Sequence, residues 1–295
     1  MKVLILGSGG MLGHLTTIYL KEKRHSVDNL SFPNCTFDDS FVCDVTDLNK
    51  FEEYLDLSHY DIIINCVALL IRASEDNKSR AVFLNSYFPH WLESKYKNTN
   101  TKIIQVSTDG VFGDGQPPFS ETDPHLCTSF YARSKSLGEL NNDKDLTIRS
   151  SFFGPDINNN GKGLLNWFFS QNGNIKGFKN VLFTGVTSLE FAKFVDEVGL
   201  TATGVYNLGA SGTINKCNLL ELFKSKLSID NINIIPDEKS KSNTSVKTIR
   251  TDISYTPKDY EAMTCELCKF IKDHKDLYPH YKFIGQERKT WNTQC

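Results

Sequence analysis

Hydrophobic residues in the first half of this chain come in short solid runs, separated by longer stretches of mixed character. Val3-Leu4-Ile5-Leu6 opens the series. Asp61-Ile62-Ile63-Ile64-Asn65-Cys66-Val67-Ala68 and Lys102-Ile103-Ile104-Gln105-Val106-Ser107 continue it, and Leu146-Thr147-Ile148-Arg149 closes it. A solid apolar run too short for a helix predicts a strand covered on both faces, as in a parallel sheet. A weaker strand is expected over 27–30. Between the runs, 11–23, 78–97 and the segment starting near Ser129 carry helical periodicity. Strands alternating with helices predict an α/β protein, a Rossmann-type doubly wound parallel sheet.

After about residue 154 the pattern changes. Residues 156–163 are rich in Asn and Gly and read as a loop. Helices are expected over 164–169, 188–200, 218–227 and 264–274, with short strands over 205–208 and 232–235. Residues 237–247 are polar and read as a loop. The expected organisation is a nucleotide-binding domain over 1–154, then a smaller α+β substrate-binding lobe over 155–283 with some segments returning to the main sheet. Residues 284–295 lack periodicity and read as an extended tail.

Composition narrows the class. A chain of 295 residues with 39% hydrophobic residues and a net charge of −2 can bury a sizeable core, and it carries no basic footprint for nucleic acid or an anionic membrane. No apolar run nears the ~20 residues needed to span a bilayer. The N-terminal run enters glycines directly, reading as a strand and not a signal peptide. Eight scattered cysteines suggest a reducing, cytoplasmic setting. Cys265-Glu266-Leu267-Cys268 lacks a second pair at zinc spacing, so small residues on an amphipathic helix account for it better than a metal site, and no metal is expected.

Two local patterns carry chemistry. Gly7, Gly10 and Gly13 form GxxGxxG between a strand and a helix, the arrangement that lets a backbone approach a pyrophosphate at a helix N-terminus. Tyr131 and Lys135 stand four apart, hence on one helix face, where a cation can tune a phenol for proton transfer near neutral pH. That spacing recurs at Tyr19/Lys23 and Tyr278/Lys282. Only the middle pair follows Ser107-Thr108-Asp109, a hydroxyl-bearing strand end. An acid for the adenosine ribose is expected at the end of the second strand, where this chain has Ser31. Lacking an acid that would repel a 2′-phosphate, the chain leans slightly to NADPH over NADH. Asp44-Val45 is placed to receive the adenine, with a turn or helix cap as the other account of Asp44.

These residues, with Asn65 to Ala68, Asn85, Val106 to Gly115, Glu121 to Pro124, Gly138-Glu139 and Arg149 to Gly154, resemble the extended short-chain dehydrogenase/reductases, and among them the dTDP-4-dehydrorhamnose reductase-like group. The resemblance is specific over the first half. It is looser later, through Gly185 to Ser188 and Thr248 to Asp252. It implies that Tyr131 is the proton donor, that Thr108 hydrogen-bonds the substrate oxygen, and that Lys135 binds the nicotinamide ribose and lowers the Tyr131 pKa. Cys66, Val67 and Ala68 would line the cofactor path, joined by Met11, Leu12, Ser107 and Phe152. Asn85 would support the site from behind. Asp109, Gly110 and Phe153 would meet the substrate, and Arg250 its diphosphate, against a solvated surface arginine. Trp167, Phe168 and Phe169 would stack on a base or fill the core.

The implied reaction is reduction of the C4 ketone of a nucleotide-linked 4-keto-6-deoxy sugar by NAD(P)H, in deoxysugar or polysaccharide precursor synthesis. Two departures bear on it. Gly110 stands where the family often has Tyr, opening space for a larger substituent. Cys127 stands where Pro is common, and a thiol there would suit epimerase chemistry if it is more than a loop cysteine. Dehydration is disfavoured because Asp109 is followed by Gly110 and not by a second carboxylate. A sugar-nucleotide epimerase and a non-catalytic NADP-binding regulatory subunit are the remaining readings. The expected partners are the nucleotide sugar and, as one option, a second copy of the chain.

Overall fold

The computed structural model describes residues 1–113 and 115–281. In chain order the elements are β1 (Lys2–Leu6), α1 (Met11–Glu22), β2 (Ser26–Ser31), β3 (Ser40–Val42), α2 (Leu48–Asp56), β4 (Ile62–Asn65), α3 (Ile71–Asp76), α4 (Lys78–Val82), α5 (Phe88–Tyr96), β5 (Lys102–Val106), α6 (Phe130–Leu137), β6 (Leu146–Arg149), β7 (Phe152–Phe153), α7 (Leu164–Phe169), β8 (Gly173–Phe183), β9 (Val186–Thr187), α8 (Ser188–Phe194), β10 (Gly204–Asn207), β11 (Ile214–Asn215), α9 (Lys216–Lys226), β12 (Ile232–Asn243) and α10 (Tyr260–Asp273).

Seven strands form one sheet in the order β10-β6-β5-β4-β1-β2-β3, and every pairing in it is parallel. The solid apolar runs explain this. Leu4, Ile63 and Ile103 lie in register and pack on one side with Phe51, Phe88 and Leu92 from α2 and α5. Ile5, Ile64 and Ile104 face the other side, against Leu12 and Leu20 of α1 and Phe191 and Phe194 of α8. Alternate residues of each strand thus enter opposite cores, and the polar residues they carry, such as Asn29, Gln105 and Thr147, are buried together with hydrogen-bond partners. The order reverses between β4 and β1, which opens a crevice at the carboxyl ends of those strands.

The expected return of the later chain to the main sheet is β10, paired in parallel with β6. The rest of the second half builds a lobe around the sheet β11-β8-β12 and a third core, where Phe153, Phe168, Phe223 and Leu267 are buried. Here the sequence reading needs correction. Residues 237–247 do not form a polar loop throughout, because β12 runs to Asn243 alongside β8, with a register shift between Asp237 and Lys241. Most of its side chains beyond Ile234 are exposed, so it is held by ladder hydrogen bonds and carries no apolar alternation. The 78–97 helix is interrupted by a π turn over Phe83–Tyr87, and 188–200 by another over Val195–Gly199. Residue 283, the tail 284–295, Lys282 of the third Tyr/Lys pair and Asp114 lie outside the described residues. Among the described residues, no helix is long and apolar enough to cross a membrane.

The tightest packing requirement is at the start of α1. Gly7 adopts φ +82°, and a Cβ on Gly13 would stand 2.2 Å from the Gly7 carbonyl oxygen. Gly13→Ala is therefore expected to lower stability by about 2–3 kcal/mol. Urea unfolding of the two proteins checks this, and an unchanged midpoint would mean that α1 can shift without cost.

Candidate active site

The crevice collects residues from four strand ends. Beyond β1, the chain turns at Gly7, and the Gly7 and Ser8 amides both donate to the Leu30 carbonyl. α1 then starts at Gly10 with no side-chain cap. Its first amides, including those of Met11 and Leu12, keep the partial positive charge of an unsatisfied helix N-terminus. A Cβ on Gly10 would meet only the Gly7 carbonyl, at 3.5 Å, so the glycine leaves a cradle open above the turn. The donors and the space fit a pyrophosphate.

The loop is braced from the far lobe. Asn158 Nδ2 donates to the Gly9 carbonyl at 2.9 Å. His14 Nδ1 lies 2.9 Å from the Gly10 carbonyl and Nε2 lies 2.9 Å from the Tyr278 hydroxyl. A carbonyl only accepts, so Nδ1 carries the proton and Nε2 accepts from Tyr278. Burial holds this imidazole neutral, lowering its pKa to about 4.

Ser31 ends β2, buried, with its hydroxyl donating to the Asn34 carbonyl. Asp44 caps the Thr46 amide and pairs with Arg80 at 2.9 Å, which matches the turn-cap account of that residue; Val45 behind it is buried. After β4, Cys66, Val67 and Ala68 form a half-exposed rim. Asn65 fixes the rim by accepting from the Val67 amide, and Asn85 by accepting from the Leu69 amide and donating to its carbonyl. Asn85 also donates to Ser134 Oγ on α6 at 3.0 Å. The π turn places Asn85 between these two elements.

α6 is capped by Ser129, whose hydroxyl accepts from the Ala132 amide. One turn in, Tyr131 and Lys135 project to the strand ends. Lys135 Nζ donates to the Val106 carbonyl at 2.6 Å and feels Glu139 and Cys66. Burial drives its pKa down to about 8. Tyr131 is pushed up to about 12, first by burial, then by the Asp109 carboxylate, with the Thr108 side chain pulling the other way. Burial thus sets the direction of the Tyr131 shift. Both groups are desolvated, which favours the neutral form of each. Under the pair lies a buried polar knot. Ser107 Oγ donates to Glu139 at 2.6 Å, and the Arg149 guanidinium grips the same carboxylate through Nε and Nη2. The Ser107 hydroxyl thus spends its proton on Glu139.

Three substrate assignments change. Asp109 is 4% exposed, and its carboxylate accepts from Ser151, Thr244 and Thr108, so it lies beneath the crevice and is not free to meet a substrate directly. Phe153 is 1% exposed inside the lobe core against Phe183 and Phe223. Arg250 pairs with Asp252 and donates to the Thr203 and Val205 carbonyls, beside the amino end of β10. Those are the opposite strand ends from the crevice. Phe152 is half-buried and edge-on to Phe191. Phe168 is core, while Trp167 is exposed. Cys127 is a half-buried free thiol whose pKa burial raises. Cys265 and Cys268 share the buried face of α10, and Cys268 is free. The residues that sequence reasoning missed are Glu139, Arg149 and Ser151, quoted in the motif without a role, and Asn158 and Thr244, which gave no signal.

The sequence profile described as the RmlD substrate binding domain matches residues 1–174, more than half of the chain. The chain belongs to this family. Within it, a dTDP-4-dehydrorhamnose reductase of Mycobacterium tuberculosis is 33% identical over 145 residues, covering 47% of this chain and 44% of that protein. The chain thus spans about half the length of the curated RmlD relatives it matches. A dTDP-4-dehydrorhamnose reductase from Bacillus anthracis, solved in complex with NADP, superposes with a TM-score of 0.76 at 16% identity, covering 91% of this chain and 99% of that one. A dTDP-glucose 4,6-dehydratase from the same organism gives 0.73, also at 16% identity, covering 95% and 99%. The RmlD fold therefore extends through the second half, and at this identity the likeness concerns the fold alone.

The buried lysine gives a signed pH prediction. Its folded pKa, about 8, lies below the usual 10.5. Below pH 8 the folded state holds a desolvated cation that the unfolded chain solvates, and this penalty fades as pH rises towards the ordinary lysine value. Lys135→Met is expected to stabilise the unliganded protein at pH 7 by on the order of 2–3 kcal/mol, with the gap shrinking by pH 10. Urea unfolding at the two pH values measures it; a gap that grows with pH would contradict it.

Proposed function

We propose that this protein is an NAD(P)H-dependent reductase of the C4 ketone of a nucleotide-linked 4-keto-6-deoxy sugar, serving deoxysugar or polysaccharide precursor synthesis. The observation that carries this is the convergence of Thr108, Tyr131 and Lys135 at the crevice where the uncapped helix α1 begins. Gly7, Gly10, Gly13 and the first-turn amides would hold the pyrophosphate, and Cys66 to Ala68 with Lys135 the nicotinamide side. A reduced nicotinamide supplies a hydride. The protein's own task is then to manage the oxygen of the ketone. Thr108, at the β5 end, offers its hydroxyl to the developing negative charge. Tyr131, fully protonated at neutral pH, is an acid that can give its proton to the alkoxide. Lys135, charged below about pH 8, adds positive potential to the same pocket.

The commitment of the Asp109 carboxylate to Ser151 and Thr244 supports reduction over dehydration, since it leaves no acid for a departing hydroxyl. A Cβ on Gly110 would meet only Thr108 and Ala132, at 3.4 Å or more, so no packing demand explains the glycine. The space it leaves beside Thr108 suits a sugar with a bulky substituent. For the cofactor, a slight preference for NADPH rests on Ser31, a hydroxyl where a carboxylate would oppose a 2′-phosphate. A homodimer stays within the proposal and is read by sedimentation.

The test is loss of reduced-nicotinamide absorbance with a panel of nucleotide 4-keto-6-deoxy sugars. Turnover with at least one is expected; tight cofactor binding without turnover on any would favour a regulatory subunit. Tyr131→Phe should lower kcat by on the order of 10²–10⁴-fold while cofactor affinity, measured by titration, stays the same. Full activity in that variant would remove Tyr131 from the mechanism.

A further inference from the structure

Asp109 is a buried acid for which the proposed reaction has no direct use. Its Oδ2 accepts from Ser151 Oγ at 2.7 Å and from Thr244 Oγ1 at 2.8 Å, and its Oδ1 faces Thr108 Oγ1 at 3.3 Å. Its own amide points to the Ser150 carbonyl. These partners come from three places. Thr108 ends β5, Ser151 follows β6, and Thr244 follows β12 in the lobe, where its amide is bonded to the Leu182 carbonyl of β8. Burial pushes the Asp109 pKa up, and the three converging hydroxyls favour the charged form, so among the described residues hydrogen bonds and not an ion pair hold the carboxylate.

We propose that Asp109 is a positioning residue: its carboxylate seats the Thr108 hydroxyl beside Tyr131 and, through Thr244, ties the substrate lobe to the catalytic strand end. This rests on the reductase reading for its kinetic consequences. Thr108 Oγ1 also accepts from the Gly110 amide at 3.1 Å. The hydroxyl is therefore fixed from both sides until a ketone oxygen competes for its proton. The arrangement also makes the lobe part of the active site. A shift of β12 relative to β5 pulls on Asp109 before it reaches Thr108.

The carboxylate has a second effect. It raises the proton affinity of Tyr131, and of Tyr260 on α10. The other ionisable groups around the pair are Lys135 on α6, with Cys66 and Glu139 facing it. A negative neighbour keeps the phenol protonated, which suits an acid working in the direction of ketone reduction.

Asp109→Asn keeps the shape and removes the charge. The expected result is a kcat lower by on the order of 10²-fold, unchanged cofactor affinity, and a basic limb of the kcat profile displaced to lower pH. Thr244→Val, which removes only the lobe contact, should lower kcat less and raise the KM for the sugar. An unchanged kcat and pH profile in folded Asp109→Asn would overturn the proposal, as would equal losses of kcat, cofactor affinity and thermal stability, which mark a merely structural acid. If Asp109→Asn does not fold, Thr244→Val and Ser151→Ala decide, and wild-type kinetics in both would overturn it. A wild-type protein that turns over no 4-keto sugar would instead defeat the reductase reading. The ring carbon signal of Tyr131, assigned with Tyr131→Phe in labelled protein, then tests Asp109 without turnover: titration at lower pH in Asp109→Asn supports the proposal, and an unmoved titration overturns it.

Discussion

The site depends on a lysine cation taken out of water. Lys135 Nζ rests on the Val106 carbonyl, and this contact fixes how α6 meets the sheet. For the ammonium to reach that carbonyl, α6 must dock over the ends of β4 and β5. The docking brings Tyr131 to Thr108 and lays Ser134 against Asn85. The buried Glu139 carboxylate sits within reach of the cation's field and is itself satisfied by Arg149 and Ser107. Each charge in this stack compensates the next. Removing Glu139 would leave the buried Arg149 uncompensated, which is far costlier than never having built that pair.

The proton affinities follow from the same desolvation. Water would lower the phenol towards its usual value and raise the lysine. Burial moves both groups towards neutrality and so strains the site electrostatically. Such strain is common where function needs reactive groups. Burial sets the resting state, and a bound anionic dinucleotide changes the field that both groups feel.

Much of the framework was legible because it rests on local rules. Solid apolar runs announced the buried strands, the glycines marked the turn into α1, and i,i+4 spacing put Tyr131 and Lys135 on one face. What failed was direction. A sequence shows that Asp109, Phe153 and Arg250 have suitable chemistry, but only packing decides what each touches: Asp109 is taken by neighbouring hydroxyls, Phe153 by the lobe core and Arg250 by Asp252. Strand β8 escaped and β12 was read only over 232–235, because each buries few apolar side chains, Ile175 and Phe183 in one and Ile232 and Ile234 in the other, and ladder bonds carry the rest. The roles of Asn158, Ser151 and Thr244 were invisible for a simpler reason: each acts on a residue more than 40 positions away in the chain. The π turn around Asn85 is likewise a backbone irregularity with no composition of its own.

One consequence of the His14–Tyr278 bond concerns order in time. The imidazole proton held on the Gly10 carbonyl is set by a hydroxyl 264 residues later. Asn158 reaches the neighbouring Gly9, and the Asp156 amide that anchors its loop donates to Tyr281. On the ribosome the glycine turn is made first, and Asn158 and Tyr278 follow only 149 and 264 residues after the positions they hold. The nascent chain therefore carries an unfinished nucleotide cradle until the Tyr278 segment emerges and closes on the first helix.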